Sequence, residues 1–260
     1  MSMVTSHGDA GLVRGLQERV AAAQPAEQVR RLGDWWLRYT ETSSWWVGTV
    51  LPHGTADRAE LPELISAAEH FYVSRGAVPR FQLSPGACPA ELDDMLAARG
   101  YRRSGPVSLR TAHTAEILAR ARPTGLDAQL AEFPSQEWFA VGRAIHGNDP
   151  AAEQPLLARN TQQSAFVSVR YDDEVIAVGR AAVDTGWAGV FGMATLPRAR
   201  GMGAASAALG ALASWAEARA TGSMYLQVEA ENETAVRLYT RMGFTELCEY
   251  HYRTAPAADR

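Results

Sequence analysis

The sequence predicts an α/β protein with mixed sheet, an α+β arrangement built as two tandem copies of one unit. Three observations carry this. Helix-like and strand-like segments alternate along the chain, without the regular βαβ rhythm of a Rossmann domain. Short motifs recur at one spacing in both halves. The 260 residues, 47% hydrophobic and 21% charged, suffice for two cores of roughly 130 residues each.

The elements follow in order. Residues 11–32 read as an amphipathic helix. "DWWLRYT" and "SSWWVGTVLP" have the aromatic and β-branched content of a strand pair around the turn "ETSS". "ELPELISAAEHFYVSRG" reads as a helix stopped by Gly76, "RFQLS" as a strand, and "PAELDDMLAARG" as a helix stopped by Gly100. Residues 112–126, with Pro123 and Gly125, form a domain junction. A strand near "LDAQLAEF", a helix near "SQEWFAVGRAIHG" and a hairpin "SAFVSVRYDDEVIAVGRAAV" come next. The strand "WAGVFGMATLP", a helix after Gly203, the strand "SMYLQVE", the helix "ETAVRLYTRMG" and the strand "FTELCEYHYRT" complete the chain.

Thirty residues separate Pro52 from Gln82, and thirty separate Pro197 from Gln227. "MLAARGY" and "LYTRMGF" then close each half alike, with a helix end, a glycine stop and an aromatic residue opening a strand. Two units are therefore expected, residues 1–120 and 121–260.

Composition excludes several classes. No uninterrupted apolar run is long enough to span a bilayer, and no basic segment precedes a hydrophobic one at the start, so neither a membrane nor export is expected. A net charge of -4 and a pI near 5.9 argue against nucleic acid as a partner. Cys88 and Cys248 form no CxxC or metal spacing, and the histidines show none either, so no metal is expected and a reducing cytoplasm fits. Every fixed side-chain cation is arginine.

The stretch "LPRARGMGAASAALGALASWAE" (196–217) carries the chemistry. Glycines at 201 and 203 allow backbone N–H groups to converge on an anion, and a helix follows whose N-terminal dipole favours negative charge. Ala204, Ala205, Ala207 and Ala208 keep the first turns narrow. The same residues also read as a tight turn and packed alanines. Opposite them the first copy has "HGTADRAE", without glycine in the two places. Downstream, Asn232 suits an N-cap, and Ala235 and Tyr239 share its helix face.

Together, residues 187–252 resemble the GCN5-related N-acetyltransferase (GNAT) superfamily. Its glycine motif is met by Arg198, Gly201 and Gly203, and its Asn–Ala–Tyr–Gly–Phe series by Asn232, Ala235, Tyr239, Gly243 and Phe244. The first half looks like a degenerate copy, so the resemblance implies two tandem acyl-CoA N-acyltransferase folds. It also implies acetyl-CoA as cosubstrate. Backbone N–H groups of residues 200–205, with Arg200, Gly201, Met202, Gly203, Ala204 and Ala205, would hold the pyrophosphate. Met193, Ala194 and Thr195 would pair with the pantetheine amides, and a backbone N–H there would polarise the thioester carbonyl. Asn232 joins this cofactor set, and Tyr239 would protonate the departing thiolate.

Many members place a glutamate as base where this chain has Gln227, and "WAGVFGMATLP" has no acid. Glu229, Glu231, Glu249 and His251 are left as candidates, each of which also reads as a surface residue. Deprotonating a lysine-like amine at pH 7 costs about 4.6 kcal/mol and an α-amino group roughly 1, so a missing base favours an amine of low pKa. Trp35-Trp36 and Trp45-Trp46 read as core or as walls of an acceptor pocket. His146 and Asn148 lie where this fold receives its acceptor. The expected function is transfer of acetyl to a small-molecule primary amine by direct attack in a ternary complex, with a homodimer as assembly. A peptide N-terminal acetyltransferase and a non-catalytic acyl-CoA sensor stand as alternatives.

Overall fold

The computed structural model describes residues 7–41, 44–147 and 149–256. They fall into two compact units. The first takes residues up to 108 with 229–231 and 247 onward, and the second takes 109–228 and 232–246. The sequence reading drew one junction at 120/121. Residues 114–120 within that junction are helical, and the strands at 102–113 and 245–254 each contribute residues to both units.

The first unit contains α1 (His7–Ala23), β1 (Gln28–Leu32), β2 (Trp35–Tyr39), β3 (Val50–Leu51), α2 (Leu61–Val73), β4 (Arg80–Leu83) and α3 (Leu92–Ala98). Its sheet runs β1-β2-β3-β4 and continues through residues 247–254 and 102–108. The helix expected over 11–32 ends at Ala23, because residues 28–32 pair as a strand across a two-residue turn with Leu32 opposite Trp35. Gly33 sits in that turn at φ 57°, the left-handed backbone such hairpins require. Between β2 and β3, Trp45–Val47 form a short 3-10 turn rather than part of a long strand. Thr42 and Ser43 of the expected "ETSS" turn lie outside the described residues.

The tryptophan pairs divide. Trp35 is core, edge-on to Phe81 at 5.9 Å, while Trp36 lies under the Arg31 guanidinium at 3.6 Å. Trp45 and Trp46 are partly exposed, and Trp45 packs edge-on against Tyr252 at 4.9 Å. Arg38 is buried yet satisfied, donating to Thr49 Oγ1 (2.8 Å) and Trp46 O (3.0 Å). The Tyr72 hydroxyl donates to Arg38 O at 2.7 Å.

The second unit contains the end of β5 (Arg102–His113, from residue 109), α4 (Thr114–Arg120), β6 (Asp127–Ala131), α5 (Gln136–His146), α6 (Pro150–Arg159), β7 (Ser164–Tyr171), β8 (Glu174–Asp184), β9 (Trp187–Thr195), α7 (Ala204–Glu217), β10 (Ser223–Glu229, to residue 228), α8 (Glu233–Arg241) and the first two residues of β11 (Thr245–Thr254). Its strand order is β5-β10-β9-β8-β7-β6. β6 through β9 are antiparallel neighbours, and β9 pairs with β10 in parallel. The sequence reading missed α6, although "NDPAAE" holds its start: Asp149 accepts from Ala151 N at 3.0 Å and Pro150 opens the first turn.

One face of this sheet is covered by α7 and α4, where Leu209, Leu212 and Ala213 of α7 are fully buried against Val167, Ala181 and Ala188. On the other face Trp138, Phe139 and Val141 of α5 pack on Phe166, Val178 and Ala194. Among the described residues no helix is long and apolar enough to cross a membrane. Truncating Leu212 to Ala empties the α7 contact and is expected to cost about 2–5 kcal/mol. A urea titration followed by circular dichroism would read this as a lower midpoint at unchanged slope.

Candidate active site

The β9–β10 ladder begins at Trp187 and Ser223 and stops at Val190 and Leu226, yet β9 runs on to Thr195 and β10 to Glu229. The two strands therefore open from each other over their last residues. On its other side β9 stays paired, with Val178 opposite Ala194 and Ala177 opposite Thr195. Leu196 N donates to Ile176 O at 2.9 Å, which fixes the alternation. Ala194 turns its backbone groups to β8, while Met193 and Thr195 turn theirs toward the opening.

A register shift between Val178 and Arg180 makes this possible. Val178 faces Ala194, but Arg180 faces Phe191, so β9 carries one extra residue there. Gly192 takes φ 60° in the bulge. Indole Nε1 of Trp138 donates to Gly179 O at 3.1 Å, satisfying a carbonyl at the irregular step. The Met193 side chain lies so close over Gly179 that a Cβ at 179 would meet its Sδ at 2.4 Å. Arg180, with its pKa pushed down to about 10 by burial and still protonated at neutral pH, lies 4.9 Å over the Phe191 ring. Phe191 in turn meets Tyr225 edge-on at 6.2 Å.

At the end of β9 the chain makes a 3-10 turn, Pro197–Ala199, and reaches α7 through Gly201 (φ 83°) and Gly203 (φ 85°). Arg200 N donates to Pro197 O (3.3 Å) and Met202 N to Ala199 O (3.4 Å), so those two N–H groups are used inside the loop. Gly201 and Gly203 follow, and Ala204 and Ala205 begin α7. No side chain caps α7, and no acid stands in its first turn. Arg198 is exposed and pairs with Glu174.

Asn232 serves as the N-cap of α8, its side chain accepting from Ala235 N at 3.2 Å. Tyr239, two turns on, is buried in the core cluster that also holds Ala204, Ala208 and Leu226. Its ring meets Phe244 edge-on at 5.9 Å, and burial pushes its phenol up to about 12. Of the base candidates, Glu229 ends β10, Glu231 and Glu249 are exposed like it, and His251 Nε2 is engaged by Asp93 Oδ1 at 3.0 Å. His146, unassigned in the sequence, ends α5 with its Nε2 3.2 Å from Met193 O. Nothing in its spacing signals that contact, which depends on the bulge. Asn148 lies outside the described residues. Among the described residues, no three His, Cys, Asp or Glu side chains converge to hold a metal ion.

A cleft of about 970 Å³ in this unit is lined by Phe133, Gln162, Phe166, Trp215 and Arg219. It adjoins the far end of α7, roughly 20 Å along the helix from the glycine loop, and shares no residue with the opening.

Residues 128–244 match the acetyltransferase (GNAT) family. Over 250 residues the chain is 27% identical to the uncharacterized N-acetyltransferase YobR of Bacillus subtilis (strain 168), covering 93% of this chain and 98% of that protein. The fold is similar to that of a GCN5-related N-acetyltransferase from Kribbella flavida, with a TM-score of 0.73 at 18% identity over 92% of this chain and 95% of that one. It is similar also to a tandem GNAT protein from the clavulanic acid biosynthesis pathway, with a TM-score of 0.64 at 13% identity over 98% of this chain and 95% of that one. At such identities these structures establish the fold: two tandem GNAT units.

A glutamate at the glycine loop sets a carboxylate where a diphosphate would lie. At Gly203 a Cβ would already meet Thr124 Cγ2 at 2.8 Å, whereas at Gly201 it would find open space. Gly201→Glu thus separates charge from crowding, although both positions share a strained φ. Both variants are expected to weaken acetyl-CoA binding at least tenfold by titration calorimetry, with Gly201→Glu the better folded. Unchanged affinity in folded Gly201→Glu would remove the loop from the binding site.

Proposed function

We propose that this chain, whose residues 128–244 match the acetyltransferase (GNAT) family, moves acetyl from acetyl-CoA to the primary amine of a small molecule by direct attack in a ternary complex. The observation that carries this reading is the opening of β9 from β10 beside a glycine loop that leads into an uncapped helix. The second unit is the catalytic one in this reading.

The residues present fit acetyl-CoA. Gly201, Gly203, Ala204 and Ala205 offer N–H groups at the positive end of α7 to a diphosphate. Met193 N–H and the Thr195 backbone face the opening as the edge of a strand, suited to an extended chain of amides. Ala194, turned to β8, supplies the wall and no edge. The cosubstrate supplies an acyl group activated on sulfur, and an N–H at the end of β9 would polarise its carbonyl.

Two side chains would handle protons. Tyr239 keeps its proton at any physiological pH, since burial holds the phenol at about 12. An ordinary thiol titrates near 8.5, which alone would set a barrier of roughly 5 kcal/mol to the transfer. Burial that lifts the phenol also lifts a thiolate leaving beside it, so the two are closer than those values suggest. His146 is the base: with Nε2–H donated to Met193 O, its Nδ1 is left as a bare acceptor. The acceptor amine is one of low pKa, for which the cost of deprotonation is small.

A screen of small amines, α-amino compounds and peptides for CoA release tests the reading. Release with small amines supports it, release with peptides alone favours an N-terminal acetyltransferase, and acetyl-CoA binding without release from any acceptor makes the chain a sensor.

Tyr239→Phe keeps the ring against Phe244 and removes the proton, and His146→Gln keeps a donor to Met193 O and removes the base. Each is expected to lower kcat by roughly a hundredfold while leaving the acetyl-CoA Kd within about twofold. Unchanged kcat in either variant would reassign that residue to packing.

One acetyl-CoA per chain is expected. In the first unit β3 and β4 are still paired at Val50 and Phe81, one residue from the end of β3, so no strand edge opens. In the following loop Ala56 and Arg58 stand where the second unit has Gly201 and Gly203, and Asp57 and Glu60 add negative charge beside them. Equilibrium dialysis that finds two bound cofactors per chain would overturn this division.

A further inference from the structure

We propose that Trp138 is a positioning residue for the cosubstrate: its indole sets the path of β9 at the bulge, and so governs the grip on the pantetheine arm of acetyl-CoA while leaving the diphosphate end alone. The inference rests on the acetyl-CoA reading above.

α5 and its neighbours place the ring. Ser135 caps the helix, its Oγ accepting from Trp138 N at 3.1 Å, which fixes the backbone from which the indole projects. Phe139 and Phe166 then meet the ring edge-on, each at 5.4 Å, with interplanar angles of 87° and 83°. Trp138 is 2% exposed, so close packing holds it in one rotamer.

One edge of that indole touches both strands. Nε1 donates to Gly179 O on β8 at 3.1 Å. Cζ2 and Cη2, on the same edge of the ring, lie so near Gly192 of β9 that a Cβ there would stand 3.6 and 3.5 Å from them. Between the pairs Val178–Ala194 and Arg180–Phe191, β8 has Gly179 alone where β9 has Gly192 and Met193. The indole therefore spans the step at which β9 gains its extra residue. Gly192, at φ 60°, has no side chain of its own to hold this conformation, and the indole supplies the contact. Met193, whose backbone turns toward the opening, comes next in the chain.

The glycine loop leads into a helix on the other face. Trp138 packs in the cluster of Phe166, Val178 and Ala194, whereas Ala204 and Ala208 at the start of α7 pack in the cluster across the sheet. The two ends of acetyl-CoA would accordingly feel Trp138 differently. Pantetheine amides need Met193 and Thr195 at strand geometry, and a diphosphate needs the loop and the first turn of α7.

Two ligands and two variants test this role by calorimetry of the full chain. Acetyl-CoA carries both ends, and 3′-phospho-ADP carries the nucleotide and diphosphate without pantetheine. Benzothienylalanine at position 138 keeps the shape of the ring and exchanges N–H for sulfur, while Trp138→Phe loses the donor and the contact with Gly192. Each variant is expected to weaken acetyl-CoA by about fivefold or more and to leave 3′-phospho-ADP within about twofold. Where Trp138→Phe fails to fold by circular dichroism, the isosteric variant decides. Unchanged acetyl-CoA affinity in that variant, or equal losses for the two ligands, would overturn the role and leave Trp138 a packing residue. Wild-type protein that binds neither ligand would instead overturn the acetyl-CoA reading and this role with it, a result distinct from the other two, in which wild-type binding is intact.

Discussion

β9 has to be a fully paired strand on one edge and an open one on the other, and the second unit is organised around that requirement. Backbone N–H and C=O groups left without partners in a protein interior cost about 1–3 kcal/mol each, a large share of a stability of about 5–15 kcal/mol. The structure limits that cost locally. The bulge at Gly192 absorbs one residue, Trp138 takes up the carbonyl of Gly179, and His146 meets the carbonyl of Met193. Only a short run of edge then awaits a ligand. α5 supplies both side chains, although the glycine loop leads into the helix on the opposite face.

The start of α7 completes the arrangement by what it omits. α5, α6 and α8 open on side-chain oxygens of Ser135, Asp149 and Asn232, and each has a glutamate in its first turn. α7 opens on Gly203 in a left-handed conformation with no side-chain cap and no acid. Its dipole and first N–H groups are consequently left for an anion. Small residues serve the same end: Ala204 and Ala208 are buried against the sheet, and Gly210 comes so near α4 that a Cβ would meet Ala121 Cβ at 3.0 Å.

Much of this was legible in the sequence where local chemistry sets the outcome. The glycine loop, α7, α8 with its Asn232 cap and the hairpin of β7 with β8 all follow from turn residues and periodicity. Three features did not. β1 was absorbed into a helix because "QVRRL" has little apolar patterning, though Gly33-Asp34 marked its hairpin. α6 was passed over because Pro155 interrupts its periodicity. The role of His146 was hidden because it rests on a register shift between β8 and β9, and strand register is a tertiary property. Glu229, Glu231, Glu249 and His251 lie near Tyr239 in the sequence, whereas the His146 contact comes from α5, 47 residues upstream of Met193.

The two strand–loop–helix segments show why a phosphate cradle is a joint property of ladder and loop. In the second unit the ladder stops at Val190 and the loop that follows is glycine-rich with free helix N–H groups. In the first, pairing reaches Val50 and the loop bears Asp57 and Glu60, while Gly54 N is already bound to Ala87 O at 3.0 Å. Glycines alone would gain nothing there, because no strand edge opens beside them to hold the rest of the ligand. An opened ladder alone would expose backbone groups beside carboxylates that repel a diphosphate. Each unit is consistent within itself: the proposed anion cradle needs both the opened ladder and the glycine loop, and in the first unit acids stand in the loop instead.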